Sequence, residues 1–291
     1  MKEAQCCEKF PLVSIITPSY NQGIFIRETI DSVLKQSYPN IEYVIIDGGS
    51  TDNTIEILKE YGSKIKWISE KDNGQADAIN KGIALTQGKF IGWLNSDDTY
   101  LDDAIYKLVS FMVENEDVDM VYGEGWYVDK NGNITERYLT EEFSKERLGE
   151  QCIICQPTAL FSRKIVEEVG MLDAEYQLGM DYELWLRIAN KGKVVHILDY
   201  VATSRMYDEN KTLSRKKEAY VEACKAVKKN YGYVPASWTR GYAFYLCKEK
   251  KNIVFVIVAI LLFIKYNWNN WEYVLMKFKK IKRKKHGKNN I

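Results

Sequence analysis

Three times within its first hundred residues the chain repeats one plan: a short apolar run ends abruptly in small or acidic residues, and a helical pattern follows. In "PLVSIITPSYN" a buried strand is expected over Leu12 to Thr17, ended by Pro18, after which Ile26, Ile30, Val33 and Leu34 recur at the spacing of one helical stripe. In "IEYVIIDGGSTDNT" Tyr43 to Ile46 make the strand, Gly48 and Gly49 the turn, and Thr51 or Asp52 the cap of a helix through Leu58. A further strand is expected at Ile65 to Ser69, then a helix from near Gln75 carrying Ala78, Ile79 and Leu85, then the strand of "FIGWLNSDDTYL". Apolar strands alternating with helices call for a mostly parallel, Rossmann-like sheet with helices on both faces, an α/β fold.

After Glu114 the pattern loosens. "VDMVYGEGWYVDKNGNITERYL" reads as a hairpin turning at Asn131-Gly132, followed by helices near Ser162 to Val169 and Asp181 to Lys191. A last strand, Val194 to Leu198, is expected to close the globular part, and no internal repeat is present. With 291 residues the chain has room for one large domain and an appendage, divided here as 1–230 and 231–291.

The appendage differs in kind. Twelve consecutive apolar residues, Ile253 to Ile264, precede "NWNNWEYVLMKFKKIKRKKHGK". Twelve is short of the ~20 that a spanning helix needs. Trp268, Trp271, Leu275, Phe278 and Ile281 fall on one helical face, opposite lysines and asparagines. The net charge of +1 hides an asymmetry: from Lys248 onward there are twelve Lys/Arg and two Glu, so the tail carries about +10 and the body about −9. An in-plane helix with a basic end against an anionic membrane surface is the expectation; a helix docked on the main domain is the alternative. Nucleic acid is not the expected partner, because an apolar run has no use on a phosphate backbone.

"MKEAQCCEKF" lacks the apolar core of a secretory signal, so a cytoplasmic location, peripheral on the inner face of the cell membrane, and reduced thiols are expected. Cys152 and Cys155 form a lone C-x-x-C, and with only His196 and His286 as histidines a closed zinc site is not expected.

In an open parallel sheet, ligands bind beyond the carboxyl ends of the strands. The first strand delivers Thr17, Pro18, Ser19 and Tyr20 there, the second Asp47, and the fourth Asn95, Ser96, Asp97 and Asp98. Acidic strand ends converging on one crevice repel unless a cation or hydrogen-bond donors intervene. A hard divalent cation, Mn²⁺ or Mg²⁺, takes one or two carboxylates together with substrate phosphates, which suits Asp97. Plainer roles stand beside these: Asp98 as the start of the next helix, Asp47 as a turn residue, Asp181 as a helix cap.

"VSIITPSYNQ", "VIIDGGSTDNT", "NGQADAINKGI", "GWLNSDD" and "CQPTALFSRKIVEEVGMLDAEYQLGMDYELWLRI" resemble, in this order and spacing, the inverting family 2 glycosyltransferases of GT-A fold, of the cell-surface polysaccharide type. The resemblance covers about Pro11 to Leu213. It implies a nucleotide-sugar donor, with a uridine diphosphate favoured, and a glycan or polyprenyl-linked acceptor. Thr17, Pro18, Ser19 and Tyr20 would wall the nucleotide, with Asp77 and Asn80 from "NGQADAINKG" beside it. Asp47 would meet the base, and Asn95 and Ser96 the ribose. Asp97 would hold the metal, and Asp181 would be the general base. Asp98, Tyr182, Glu183, Arg205 and Lys211 would be acceptor or diphosphate contacts, and Trp185 would pack behind Asp181.

Departures from the family pattern are several. Asp47 is followed by Gly48 where an acidic pair is frequent, and Ile79 stands where many members carry Arg, with Lys81 nearby as a substitute cation. The first acid of Asp-x-Asp is Asn95, Met180 precedes the base in place of Glu, and Tyr207 stands where relatives place His. The Gln-x-x-Arg-Trp signature of processive synthases is missing, so single addition is expected. A sugar-phosphate nucleotidyltransferase is a second reading, although "ITPSYNQG" offers no basic residue before Arg27. A non-catalytic membrane scaffold of the same fold is a third. Dinucleotide and P-loop enzymes are excluded by the lack of G-x-G-x-x-G and G-x-x-x-x-G-K-[ST].

Overall fold

The computed structural model describes residues 10–276 except Glu209, Glu249 and Lys251. Its strands are β1 (Val13–Ser19), β2 (Ile41–Asp47), β3 (Lys66–Ser69), β4 (Phe90–Trp93), β5 (Thr99–Tyr100), β6 (Met120–Val128), β7 (Ile134–Arg137), β8 (Ala159–Ser162) and β9 (Val194–Arg205). The helices of the first half are α1 (Ile26–Leu34), α2 (Thr54–Glu60), α3 (Gln75–Leu85) and α4 (Ala104–Glu114). The second half carries α5 (Lys145–Glu150), α6 (Arg163–Val169), α7 (Met180–Lys191), α8 (Lys211–Ser214), α9 (Lys216–Tyr231), α10 (Ala236–Leu246) and α11 (Ile253–Asn267).

One sheet runs β3-β2-β1-β4-β8-β6-β9-β5, with β7 hydrogen-bonded to β6. The first four strands are parallel, as their spacing by helices requires. Strand β8 runs antiparallel to both β4 and β6, so the second half of the sheet is mixed. Period-2 alternation sends Val13 and Ile15 to the face covered by α1, α2 and α4, and Ile16 to the face covered by α3 and α7. Helix α3 lies so close to β1 that a Cβ at Gly82 would collide with the Ile16 side chain, which explains a glycine in mid-helix.

Strand β9 does not stop at Leu198 but continues to Arg205. Its register against β6 shifts around Glu124, so the regular pattern breaks at Asp199 and Tyr200 although the pairing resumes beyond. Nor does β9 close the globular part: α9 packs on α7, and α10 packs on α9, α5 and α11. The apolar run lies within α11, where Ala259, Phe263 and Asn267 form the inward stripe. Asn267 is fully buried, donating to the carbonyls of Val234 (2.9 Å) and Phe263 (2.8 Å) and accepting from Val234 N–H (2.8 Å). Among the described residues no helix is long and apolar enough to cross a membrane. Phe278, Ile281 and the basic end of the tail lie outside the described residues, as do Cys6, Cys7 and His286.

Candidate active site

Beyond the carboxyl ends of β1, β2 and β4 opens a crevice of about 780 Å³, within the range that takes a ligand of nucleotide size. Its floor is backed by two interlocked loops. Asn21, in the left-handed conformation (φ 52°), accepts the Thr51 N–H (2.8 Å), while its own N–H reaches Ser50 Oγ (2.7 Å). Asp52 receives the Thr54 N–H at the start of α2, as a cap would, and with its other oxygen the Gly23 N–H at 2.9 Å. Pro18, Ser19, Tyr20 and Gln22 line this side, and the buried Ser19 Oγ and Gln22 Oε1 have no hydrogen-bond partner among the described residues. Unsatisfied buried polar atoms on residues that line a crevice are what a polar ligand reaching them would satisfy.

Four expected nucleotide contacts sit behind that wall instead of on it. Thr17 is fully buried against the Tyr43 hydroxyl (3.1 Å). The Asp47 carboxylate is spent on its own turn, accepting from Gly49 N, Ser50 N, Ser50 Oγ and Ser69 Oγ. Asp77 accepts from Asn73 N and pairs with Lys81, which also holds Glu70, so neither side chain is directed to the crevice. Asn80 clamps the main chain of Leu172 with both ends of its amide.

The end of β4 is a hydrogen-bonded hub. Asn95 Oδ1 accepts from Trp93 Nε1 and Gln75 Nε2, both at 2.8 Å, and its amide nitrogen donates to Gln156 Oε1 (2.9 Å) and Asp98 Oδ2 (3.1 Å). That is the full capacity of an amide, so the expected ribose contact from this side chain is already committed within the protein. Asp98 is buried and is not a helix cap, since the cap of α4 is Asp103; its other oxygen accepts the Arg205 N–H at 2.9 Å. Burial and the adjacent Asp97 hold its carboxyl well above the usual range. Ser96 is buried at the crevice edge.

Arg205 is not a diphosphate contact. It is 2% exposed, lies over the Phe25 ring, and gives its guanidinium to Glu28 and to the carbonyls of Asp97, Asp129 and Lys130. A buried guanidinium must be saturated in this way. Asp97 does face the crevice, where Tyr207 donates a hydrogen bond to its Oδ2 (3.0 Å), and burial raises its carboxyl above the ordinary range. Lys211 also lines the crevice; burial and Arg215 lower its ammonium.

On the opposite wall, Asp181 occupies the second position of α7, after the cap residue Gly179. Burial, with a smaller push from Glu222, lifts its carboxyl from 3.8 to about 6 against the pull of nearby backbone N–H groups. Glu222, on α9, accepts the N–H groups of Gln177 (3.0 Å), Leu178 (2.8 Å) and Gly179 (2.9 Å), and so fixes the loop that presents Asp181. The Tyr182 ring lines the crevice, but its hydroxyl donates away from it to the Leu148 carbonyl (2.7 Å). Glu183 points away, fully buried in an ion pair with Arg187. Trp185 packs edge-on against Phe161 behind the helix. Cys152 and Cys155 are free thiols, and burial beside Asp181 pushes Cys152 up to about 12.

Several lining residues escaped the sequence reading, Lys71, Asp72, Gln75, Gln156 and Trp238, while Tyr207, noted there only as a departure from the family's His, lines the crevice too. Gln156 stands inside the quoted "CQPTALF", and Tyr207 inside "SRMYDENKTLS"; Trp238 had no local signal at all. Among the described residues no three His, Cys, Asp or Glu side chains gather into a metal cage. The crevice nevertheless carries Asp72, Asp97, Asp98 and Asp181 against two lysines. One crevice-facing carboxylate plus phosphate oxygens is a donor set that Mn²⁺ or Mg²⁺ accepts, so the lining fits such an ion.

The family described as "Glycosyl transferase family 2" matches residues 14–170. An uncharacterized glycosyltransferase of Rickettsia typhi is 30% identical over 215 residues, 69% of this chain and 66% of its own. For two further Rickettsia relatives the chain spans 64% and 34% of their length, so it covers less than two thirds of these curated relatives. Staphylococcus aureus TarS 1–349, solved with UDP-GlcNAc, superposes with a TM-score of 0.64 at 17% identity, over 88% of this chain and 80% of that one. The mannosyltransferase PcManGT of Pyrobaculum calidifontis, solved with GDP-Man and Mn²⁺, gives 0.61 at 17%, over 93% and 80%.

Proposed function

From the premise that the chain belongs to glycosyl transferase family 2, we propose that it moves one sugar, with inversion, from a nucleotide-diphosphate donor to a hydroxyl of a glycan or lipid-linked acceptor. The observation that carries this reading is the pairing, across one crevice, of Asp97 at the end of β4 with Asp181 at the start of α7. Donors are seen in two fold neighbours, as UDP-GlcNAc in TarS and GDP-Man in PcManGT, and a uridine diphosphate donor is the first choice.

In this reading Ser19 and Gln22 meet the nucleotide with their unpartnered oxygens, and Lys71 and Lys211 face its phosphates. Asp97 would hold, with the donor's own phosphate oxygens, a divalent cation of the Mn²⁺ or Mg²⁺ type. The chemistry such an ion supplies is compensation of charge on the departing diphosphate. Asp181 takes the proton from the acceptor hydroxyl as that oxygen attacks the anomeric carbon from the side opposite the diphosphate. No side chain needs to bond covalently to the sugar. The reaction is placed on the cytoplasmic side of the cell membrane.

Calorimetric titration with uridine, guanosine and thymidine diphosphates in Mn²⁺ tests the reading. Binding of one of them at a Kd of roughly 100 μM or tighter is expected; failure of all three would overturn it.

The base carries a pH signature. Asp181 works as the carboxylate, so kcat/KM is expected to rise with pH through about 6 and to level off above. The other groups around it, Cys152 and Tyr138, have raised pKa values and stay neutral over that range. Glu222→Gln removes the one neighbouring charge that raises Asp181, so the acid limb should move to lower pH. Glu222→Ala, which also frees the three N–H groups, should lower kcat roughly tenfold. An unmoved acid limb in Glu222→Gln would remove Glu222 from this role.

A further inference from the structure

Among the described residues, ten of the 21 exposed large apolar side chains fall within residues 253–276. Helix α11 buries a single narrow stripe, Ala259, Phe263 and Asn267, with Phe255, Val258, Leu262, Ile264 and Tyr266 half-buried beside it, and leaves its outer side exposed. Ile253 (71% exposed), Ile257 and Leu261 (59%) lie along the outer side, and Trp268 (61%) and Trp271 follow at its end with their rings 5.4 Å apart. A soluble surface does not ordinarily leave so many adjacent apolar side chains in water. The helix is 15 residues long, about 22 Å, too short to cross a ~30 Å hydrocarbon layer.

We infer that this outer face of α11, with Trp268 and Trp271, lies in the plane of an anionic bilayer. The occupant follows from charge: the sequence after the face, residues 277–291, holds eight Lys/Arg and no acidic residue, whereas the body ahead of Lys248 is about −9. Only a surface both apolar at depth and anionic at its rim matches an apolar helix followed by a basic stretch. Tryptophan suits that boundary, with an apolar ring and one N–H for the headgroup layer. A rigid seat is available, because Asn267 fastens the inner side of α11 to Val234 just ahead of α10, and α10 packs against the body. The inference goes beyond the transfer reading, since binding to lipid needs no donor.

The test is cosedimentation of the full chain with vesicles containing roughly 30% phosphatidylglycerol in phosphatidylcholine, and with pure phosphatidylcholine. The chain should pellet with the anionic vesicles, pellet far less with the neutral ones, and be released as salt rises from ~0.1 to ~0.5 M. Ile257→Asp combined with Leu261→Asp should weaken partition at least ~tenfold. Trp268→Ser with Trp271→Ser, which leaves α11 itself intact, should weaken it in the same direction. Retained titration of nucleoside diphosphate in both variants would show a folded crevice and separate this claim from the function proposed above. A chain that stays in solution with both vesicle types would overturn the inference, as would variants that pellet like wild type. A dimer that the aspartates dissociate, without vesicle binding, would also overturn it and assign the face to a second copy of the chain.

Discussion

Asp181→Asn is expected to lower kcat by roughly 10²–10⁴-fold, the usual worth of a positioned general base, while changing donor binding little. The substitution keeps shape and removes only the ability to accept a proton. Stability should move the other way. The folded carboxyl keeps its proton up to about pH 6, whereas the ordinary group loses it near 3.8. Its contribution is therefore fully present below about pH 4 and is lost as the pH rises through about 6. Asparagine has no charge to bury. Above pH 7 the variant should be the more stable protein by on the order of 2 kcal/mol, with the gap closing toward pH 4. Thermal melts at pH 5 and 8 beside a coupled nucleotide-release assay check both halves. A variant that is inactive because it is unstable would fail the prediction, as would one retaining most of its turnover.

The second large effect is expected at Asp97. In wild type, Mn²⁺ should strengthen uridine diphosphate binding at least ~tenfold over chelator, because one carboxylate and the phosphates share the ion. Asp97→Ala should abolish that increment and reduce kcat/KM by ~10³ or more. Calorimetry with and without chelator reads the first effect directly. Tyr207→Phe removes the hydroxyl that bonds Asp97 Oδ2 and Gln22 but leaves the carboxylate, and should retain the metal increment, which separates loss of the ligand from loss of its support. If the alanine variant bound nucleotide with undiminished metal dependence, the ion would have to be held elsewhere in the crevice.

The parallel half of the sheet was readable because β1, β2 and β4 are apolar and buried over most of their length and because helices with one stripe separate the strands, as in Ile26, Ile30 and Val33 of α1. Helix α7 and the turn at Gly132 were readable for similarly local reasons. What a linear pattern cannot display is how many hydrogen bonds a polar residue has already spent. Asp47, Asn80, Asn95 and Arg205 have the right types at the right spacing, yet the fold saturates each of them with protein partners. The rest of the opposite wall, beyond Asp181 and Tyr182, was invisible for another reason. Glu222, Tyr220 and Trp238 come from α9 and α10, where helical packing and not a motif brings them to Asp181 and Tyr182.

The two walls also differ in how they can change by inheritance. On the floor, Asn21, Ser50, Thr51, Asp52 and Gly23 hold one another, so a substitution at any of them disturbs two loops at once. Across the crevice, Tyr220 and Trp238 touch chiefly by ring packing, which tolerates replacement by other large side chains. Descendants of such a protein are therefore expected to keep their nucleotide while diversifying what they glycosylate. A breeder of variants seeking new acceptors would begin at α9 and α10 and leave the floor alone.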